Sequence, residues 1–438
     1  MKRDALFEVE NNIFKRIWVV VPYFIAVIIC ILAAIPVFSN SITQDEAFSV
    51  VLVRKNMAEM IKDASADVHP PLYYFLMMLV KGALHGRESL LAYRLLSCAG
   101  TCFNLLLIGA TMIRKRWGIM TANIYIIFFG LTYYTMEHTV IVRMYTWGTF
   151  FVTLASLLAL KAYEEEKIKY LVICGFVTLA AMYTHYYALL AVFLVWAFLL
   201  VVAAIRKRKL IKGILLTGIL IVIGYFPWLG IFIGQTDKVA QNYWIQEYLF
   251  GDMIRAPYIM TEIAALPGVG YGFQILVFAM FFLAIIRKKY ILIISSAIVV
   301  GVLVISSLYS VLVQPIWIAR YFYILWGLVS IVVAVVIGEK YSLFSIIPQI
   351  AIIILLSFYG YFYGSEIPIA FGDTISGPPE HVASRRLGEN VSGEGVLWVK
   401  YVYYNYSRKV LAILYAVFFV ISFLCLETIY VIYLQKKH

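Results

Sequence analysis

The feature that most constrains this chain is the recurrence of apolar segments of close to 20 residues along nearly all of its 438 residues. A helix needs about 20 apolar residues to cross a bilayer, whereas the strands of a transmembrane barrel alternate in character over about ten positions. Hydrophobic residues make up 63% of the chain and charged residues 14%, against about 45–50% and about 25% in soluble domains. The sequence therefore predicts an all-α polytopic membrane protein and excludes a soluble enzyme, a disordered protein and a secreted disulfide scaffold.

Twelve apolar spans are predicted, and we treat residues 1–438 as a single transmembrane domain of about 12 helices. The spans lie near 17–38, 90–112, 119–136, 142–162, 168–184, 186–205, 211–233, 271–286, 290–310, 318–338, 343–363 and 410–434. Three longer loops, 39–89, 234–270 and 364–409, then fall on the side opposite the termini. The last is expected to be a small loop or cap and not a separate soluble domain, since it is shorter than the roughly 50 residues of the smallest domains.

The distribution of positive charge orients these spans. More than half of the 36 lysines and arginines lie in short segments on the side of the termini, for example at 114–116, 206–209 and 287–289. Positive charge in short loops marks the cytoplasmic side. We therefore predict a multi-pass protein of the cell membrane with both termini in the cytoplasm. The net charge of +12 is spread over such clusters, so the expected partners are membrane lipids and not nucleic acid.

The first outer loop carries two adjacent carboxylates, Asp45 and Glu46, directly after the first span. Apolar residues continue at helical spacing over 50–61 with basic residues between them, which predicts a short amphipathic helix in the plane of the interface. His69 then precedes two prolines that start a second short helix. In an alternative interpretation, the carboxylates only cap a surface helix, and His69 bonds the backbone of a turn.

Three further ionisable side chains lie at the outer ends of predicted spans. Arg143 opens the fourth span, His185 separates the fifth from the sixth, and Arg320 begins the tenth. Ionisable residues at membrane depth are costly and indicate function, unless they only extend to the interface or, for His185, form an ordinary interface hydrogen bond. A carboxylate base near two guanidinium groups suits glycosyl transfer from a lipid phosphate, because guanidinium binds phosphate well.

Several short motifs, in their order along the chain, resemble those of one enzyme family. The motifs are Asp45-Glu46, His69-Pro70-Pro71-Leu72-Tyr73-Tyr74, Arg94-Leu95-Leu96-Ser97 and Arg143-Met144-Tyr145, followed by the weaker Thr184-His185-Tyr186-Tyr187 and Arg320-Tyr321. They are similar to motifs of bacterial members of the GT-C superfamily related to protein O-mannosyltransferases and aminoarabinose transferases (glycosyltransferase family 39-like). The resemblance is dense over residues 40–160 and sparse beyond them.

The resemblance implies a membrane glycosyltransferase that moves a sugar, with inversion, from a polyprenyl-phosphate donor to an acceptor glycan, protein or lipid on the outer face. Asp45 would be the general base, and Glu46 would assist it. Arg143, Arg320 and His69 would bind the donor phosphate, although aminoarabinose transferases carry a lysine at the position of His69. The resemblance leaves Tyr73, Tyr145, His185 and Tyr321 as candidate substrate contacts.

Other functions and a metal remain open at this level. Asp45, Glu46 and His69 are a candidate ligand set for a divalent metal, although hard cations prefer more oxygen ligands, and no cofactor is firmly expected. The main alternative is a transporter or flippase of lipid-linked sugars, which predicts paired broken helices that the sequence does not reveal. A scaffold protein of the cell envelope is a third. Walker A, dinucleotide-binding and HExxH motifs do not occur, so ATP-driven and zinc-protease functions have no support.

Overall fold

The computed structural model describes residues 19–38, 42–239, 281–282, 286, 290–338 and 374–375, and all structural statements refer to these residues. The predicted spans near 343–363 and 410–434 lie outside them, and the span near 271–286 lies largely outside. The loop 234–270 is described only up to residue 239. Of the predicted cap at 364–409, only Thr374 and Ile375 are described.

Helices form almost all of the described structure. In chain order they are α1 Val19–Ala34, α2 Gln44–Leu52, α3 Met57–Ala66, α4 Leu72–Ala83, α5 Leu90–Phe103, α6 Ile119–Leu131, α7 Tyr133–Val140, α8 Tyr145–Glu165, α9 Ile168–Met182, α10 Tyr186–Arg206, α11 Ile211–Val239, α12 Tyr290–Leu312 and α13 Trp326–Gly338. Helix α5 continues as a π-helix over Asn104–Ile113 and a last α-helical turn over Arg114–Trp117. A 3₁₀ helix, Ala319–Leu325, leads into α13.

Five helical segments of the described residues are long and apolar enough to cross a membrane. They are Leu90–Trp117, Tyr186–Arg206, Arg208–Gln235, Ile291–Leu312 and Ala319–Gly338. Helices α10 and α11 also expose large apolar side chains, among them Phe193 and Phe226, as expected where a helix faces lipid. The structure thus fits the predicted all-α membrane class, while the described residues do not establish the predicted count of 12 spans.

The predicted third span, 119–136, is broken in the structure. Helix α6 ends at Leu131, Thr132 is extended, and α7 follows at an angle of 67°. The side-chain oxygen of Thr132 accepts a hydrogen bond from Trp326 Nε1 at 2.9 Å, which ties the break to α13. Glu137 and His138, which fall between the predicted spans 119–136 and 142–162, therefore lie in α7 and not in a loop.

Residues 42–89, the described part of the predicted first outer loop, contain three short helices. The expectation of one amphipathic helix over 50–61 is wrong, because α2 ends at Leu52 and α3 starts only after Asn56. The side chain of Asn56 accepts a hydrogen bond from the Glu59 N–H at 3.0 Å and so caps α3. Within α3, Met60 and Ala64 are buried. The loop therefore packs onto the bundle through α3 as well as through α4.

A two-stranded antiparallel ladder joins two segments predicted to lie on the same side of the membrane. Strand β1, Ile42–Thr43, pairs with β2, Thr374–Ile375, in the register Ile42 to Ile375 and Thr43 to Thr374. This pairing requires the start of the first outer loop and part of 364–409 to share one face. The ladder lies immediately before Asp45.

Helix α13 is the centre of the bundle. Every residue from Trp326 to Gly338 is buried, which is typical of a helix that other helices surround. Close approach to α8 depends on Gly327, because a Cβ atom there would lie 1.9 Å from the side-chain oxygen of Thr153. This packing brings the 3₁₀ helix at the start of α13 to the start of α8, and with it Arg320 to the end of the bundle that holds Arg143.

Candidate functional site

The adjacent carboxylates at the start of α2 enter different environments. Thr43 is the N-cap of α2, and its side chain accepts a hydrogen bond from the Glu46 N–H at 3.2 Å, while Glu46 Oε2 accepts the Thr43 N–H at 3.0 Å. This capping box sets the orientation of the first turn. Successive residues of a helix point about 100° apart, so Glu46 faces the protein interior and Asp45 does not.

Glu46 forms a buried ion pair with Arg94 of α5. Arg94 Nε lies 2.9 Å from Glu46 Oε1, and Arg94 Nη2 lies 3.1 Å from Glu46 Oε2. The Val142 N–H also donates to Oε1 at 3.3 Å. Both carboxylate oxygens of Glu46 therefore accept hydrogen bonds from the protein. For this side chain the alternative interpretation, a carboxylate that caps a helix, describes the structure well. Through these contacts Glu46 links α2, α5 and the residue before Arg143.

Asp45 contacts Arg320 across the cluster. Arg320 Nη1 lies 2.9 Å from Asp45 Oδ2, and the two side chains are 34% and 21% exposed. This contact joins residues 275 positions apart in the chain. It brings together the predicted base and one of the predicted phosphate-binding arginines, in a position that solvent or a substrate reaches.

Arg143 and His69 form the second part of the cluster. His69 Nδ1 lies 2.9 Å from Asp67 Oδ2. Arg143 Nη2 lies 3.2 Å and 3.3 Å from the two ring nitrogens of His69, and Arg143 Nη1 lies 3.4 Å from the Tyr74 hydroxyl. Both Arg143 and His69 are almost fully buried. A guanidinium group in such surroundings is held in one orientation before any ligand binds.

Aromatic rings surround this polar cluster. The ring of Tyr321 lies 4.9 Å from that of His185, 6.2 Å from that of His69 and 6.3 Å from that of Tyr145. The ring of Tyr145 lies 5.8 Å from that of His185. Four residues predicted from separate motifs, His69, Tyr145, His185 and Tyr321, are therefore brought into one group.

A cavity of about 270 Å³ adjoins the group. His69, His185 and Tyr321 line one part of it, and apolar side chains of α10, α11 and α12 line much of the remainder. Several polar groups in its wall are bonded within the protein: Tyr186 donates to Gln235, and Tyr187 donates to the Ile316 carbonyl at 2.8 Å. The cavity is thus mainly apolar, and one of its polar lining residues, His69, contacts Arg143.

Among the described residues, three buried polar atoms of the Arg143 cluster and its surrounding rings lack a hydrogen-bond partner: Arg143 Nε, the Tyr145 hydroxyl and His185 Nε2. Burial lowers the pKa of His185 well below 6.5, and the nearby His69, Arg143 and Arg320 lower it further. Buried polar groups are normally satisfied. Of these three residues His185 lines the cavity, and its nitrogen indicates a place for a ligand that carries hydrogen-bonding oxygens.

Tyr73 is the one predicted substrate contact that packs elsewhere. Its hydroxyl bonds the Ser97 side chain at 2.5 Å on α5, and burial raises the pKa of Tyr73 well above its ordinary value. Tyr73 and Tyr74 are both fully buried, so neither side chain faces lipid or the membrane interface. Helix α4 uses them to pack against α5 and the Arg143 cluster.

The described residues do not assemble a metal site. They contain no group of three histidine, cysteine or acidic residues that could hold a metal ion. Of the candidate ligands, Glu46 has both oxygens bound to Arg94 and backbone N–H groups, and Asp45 faces Arg320. The donor set Asp45, Glu46 and His69 therefore does not fit a divalent cation as the side chains are arranged.

The sequence did not predict the positioning roles of Arg94 and Gln235. Arg94 stands in a recognised motif, but nothing in its local sequence indicates Glu46 as its partner. Gln235 near the end of α11 donates through Nε2 to the carbonyls of Ala64, Ser65 and Asp67 at 3.1, 3.2 and 2.5 Å. These bonds hold the turn that carries His69. A glutamine close to the end of an apolar helix is the only signal that the sequence offers for it.

Comparison with known proteins finds no family model that matches the chain and no curated protein that matches its sequence. The interpretation of the site therefore depends on the geometry described above.

Proposed function

We propose that the chain is an integral membrane glycosyltransferase of the GT-C type, which moves a sugar from a polyprenyl-phosphate donor to an acceptor on the outer face of the membrane. The observation that carries this proposal is the contact of Asp45 with Arg320 at 2.9 Å, within a cluster that also holds the buried Arg143. A carboxylate and two guanidinium groups at the end of a bundle of apolar helices suit a substrate that is part lipid and part phosphate.

In the proposed reaction, Asp45 accepts the proton of the acceptor hydroxyl while the oxygen of that hydroxyl attacks the anomeric carbon of the donor sugar. The bond between that carbon and the phosphate oxygen breaks, its electron pair stays on the phosphate, and polyprenyl phosphate leaves. Attack opposite the leaving group inverts the anomeric carbon. Arg143 and Arg320 stabilise the growing charge on the phosphate, and Asp67 orients His69 beside it. Before substrate binds, Arg320 balances the charge of Asp45.

The acceptor, whether glycan, protein or lipid, would approach from the side of Asp45, since this carboxylate is the more exposed of the two at the start of α2. The isoprenoid part of the donor would approach through the surrounding membrane lipids. In this proposal the site opens on the outer surface of the cell membrane, and both termini lie in the cytoplasm, as the distribution of positive charge indicates.

The test is to incubate the purified protein with a panel of undecaprenyl-phosphate sugars and to measure release of undecaprenyl phosphate. Asp45→Asn should lower the rate by about 100-fold or more, since removal of a general base has effects of this size, and should leave the melting temperature unchanged. Asp63→Asn is the matched control, because Asp63 pairs with Lys55 on the surface of the same loop. This variant should transfer sugar at the wild-type rate. Wild-type transfer by Asp45→Asn would refute the proposal.

One observation favours a second candidate, a transporter or flippase of lipid-linked sugars. Helices α6 and α7 form a pair bent by 67°, and broken helices are common in transporters. The two candidates differ in the fate of the sugar–phosphate bond. Proteoliposomes that move a labelled lipid-linked sugar between leaflets and leave that bond intact would support the transporter, whereas cleavage of the bond would support the transferase.

A further inference from the structure

The tautomer of His185 is determined by its own helix. His185 is the N-cap of α10, and its Nδ1 accepts the backbone N–H of Tyr187 at 3.1 Å. A ring nitrogen that accepts a hydrogen bond carries no proton. The neutral ring therefore has its proton on Nε2, and this nitrogen is a hydrogen-bond donor.

The Nε2–H group has no acceptor within the described structure. His185 is 3% exposed and its Nε2 has no partner, and the side chain lines the cavity of about 270 Å³. Burial of a donor without an acceptor costs free energy that folding does not recover. A group of this kind, held by a helix cap and facing a cavity, is suited to meet an acceptor on a ligand.

The neighbours of His185 indicate the chemistry of that acceptor. The ring of His69 lies 5.6 Å away and that of Tyr187 5.9 Å away, in addition to the rings of Tyr145 and Tyr321 described above. Arg143 contacts His69, and the Arg320 guanidinium lies 5.8 Å from the centre of the Tyr321 ring, so both cations adjoin rings that surround His185. A site that combines two cations with neutral donors favours an anionic oxygen over the oxygen of an uncharged hydroxyl.

We infer that His185 donates its Nε2–H to a phosphate oxygen of the donor lipid and does so as a neutral imidazole whose tautomer is set by the capping bond to Tyr187. This inference rests on the proposed function for the identity of the lipid phosphate. It makes His185 a ligand-binding residue and separates its two nitrogens by role: Nδ1 supports the helix, and Nε2 binds the phosphate.

Two substitutions separate these roles. In His185→Asn, the amide oxygen replaces Nδ1 as a cap, but the donor at Nε2 is lost. In His185→Gln, the longer side chain places an amide N–H near the position of Nε2, and the cap is lost. A purely structural role predicts that His185→Asn behaves like the wild type and that His185→Gln is the damaged variant. His85→Asn is the control, because His85 is exposed on a loop.

The experiment measures binding of undecaprenyl phosphate, and of undecaprenol as a lipid without phosphate, to the purified full-length protein in detergent. The wild type should bind the phosphate form more tightly than the alcohol. At pH 7.5, His185→Asn should keep the wild-type melting temperature and bind undecaprenyl phosphate about 10-fold more weakly or worse, the effect of one lost hydrogen bond to a charged group. Its affinity for undecaprenol should not change, and His85→Asn should bind both lipids as the wild type does.

The inference is overturned if His185→Asn binds undecaprenyl phosphate as tightly as the wild type, or if the wild type does not distinguish it from undecaprenol. His185→Gln adds a second readout when it folds. Its melting temperature should fall, while its preference for undecaprenyl phosphate over undecaprenol is retained in part. A greater loss of affinity for undecaprenyl phosphate than in His185→Asn contradicts the inference. Failure of the proposed function is distinguishable, since phosphate binding that depends on His185 without any sugar transfer supports this inference and refutes the transferase.

Discussion

The two ends of helix α8 both carry ion pairs, but in opposite environments. The helix has 21 residues and so spans about 30 Å. Near its start, Glu46 and Arg94 pair with side chains 3% and 2% exposed, and Arg143 is buried beside them. Near its end, Arg116 pairs with Glu164 while a third or more of each side chain is exposed, and Lys207 pairs with Glu166 at 2.8 Å.

This difference shows which charges depend on the fold. Exposed pairs contribute little to stability, and those near the end of α8 are explained by the excess of basic residues in short loops. Buried charges are costly even when they are paired. Those near the start of α8 lie with a cavity and with three polar atoms that have no hydrogen-bond partner among the described residues. A protein that needed this end only for stability would be expected to use apolar side chains there, so the buried end is where function is to be sought.

The largest effect on stability is expected from loss of one partner in the buried pair. Arg94→Met should lower the free energy of unfolding by about 3–5 kcal/mol, because the carboxylate of Glu46 is left buried without a counter-charge. The loss of stability is measured as a lower melting temperature of the detergent-solubilised protein. Arg54→Ala is the control, since Arg54 pairs with Glu88 at 2.7 Å with side chains about 30% exposed. Equal effects of the two substitutions would remove the distinction between the buried and the exposed ion pairs.

A smaller effect is expected from Gln235→Leu, which keeps the side-chain volume and removes the amide. The carbonyls of Ala64, Ser65 and Asp67 lose their donor, so the free energy of unfolding should fall by about 1–3 kcal/mol. The turn that carries His69 should also loosen. Amide hydrogen exchange over residues 64–69 reports this directly. Unchanged protection of that segment would show that Gln235 does not hold the turn.

The pH dependence of stability should differ between the wild type and His185→Asn. Burial holds the pKa of His185 well below 6.5, while in the unfolded chain the imidazole protonates near its usual value of about 6.5. Below that pH the unfolded state binds the extra proton, so the free energy of unfolding should fall by up to about 1.4 kcal/mol per pH unit. His185→Asn keeps the cap and should lose this part of the dependence. The melting temperature of each protein is measured between pH 7.5 and 5.5. If it falls equally with pH in both, His185 is not buried in its neutral form.

The smallest effect is expected at the exposed end. Arg116→Gln removes the partner of Glu164 and should change the free energy of unfolding by less than about 1 kcal/mol, because water replaces the lost contact. Sugar transfer, measured by release of undecaprenyl phosphate, should stay at the wild-type rate. A loss of transfer in this variant would mean that the two ends of α8 are coupled.

Several parts of the fold follow from local sequence. Apolar length predicted helices at 90–112, 186–205, 211–233, 290–310 and 318–338, where the structure has helices long enough to span a membrane. Helical spacing failed to show the interruption at Val53–Asn56 within 50–61, and apolar length failed to show the one at Thr132 within 119–136. In both places apolar residues flank the interruption. The break at Thr132 depends on the hydrogen bond from Trp326, a residue 194 positions away, and no local pattern encodes such a contact.

By itself, the sequence determined the all-α membrane class of the protein, because apolar length is a local property, and it singled out Asp45, Arg143 and Arg320 as candidate site residues. The tertiary structure decided which partner each of those residues has. Asp45 and Glu46 are adjacent in the chain, yet one contacts Arg320 and the other Arg94. Helix packing, through positions such as Gly327, sets these distances. Within the part of the chain that the structure describes, it also leaves Arg143, Tyr145 and His185 each with an unsatisfied polar atom, and His185 lines the cavity.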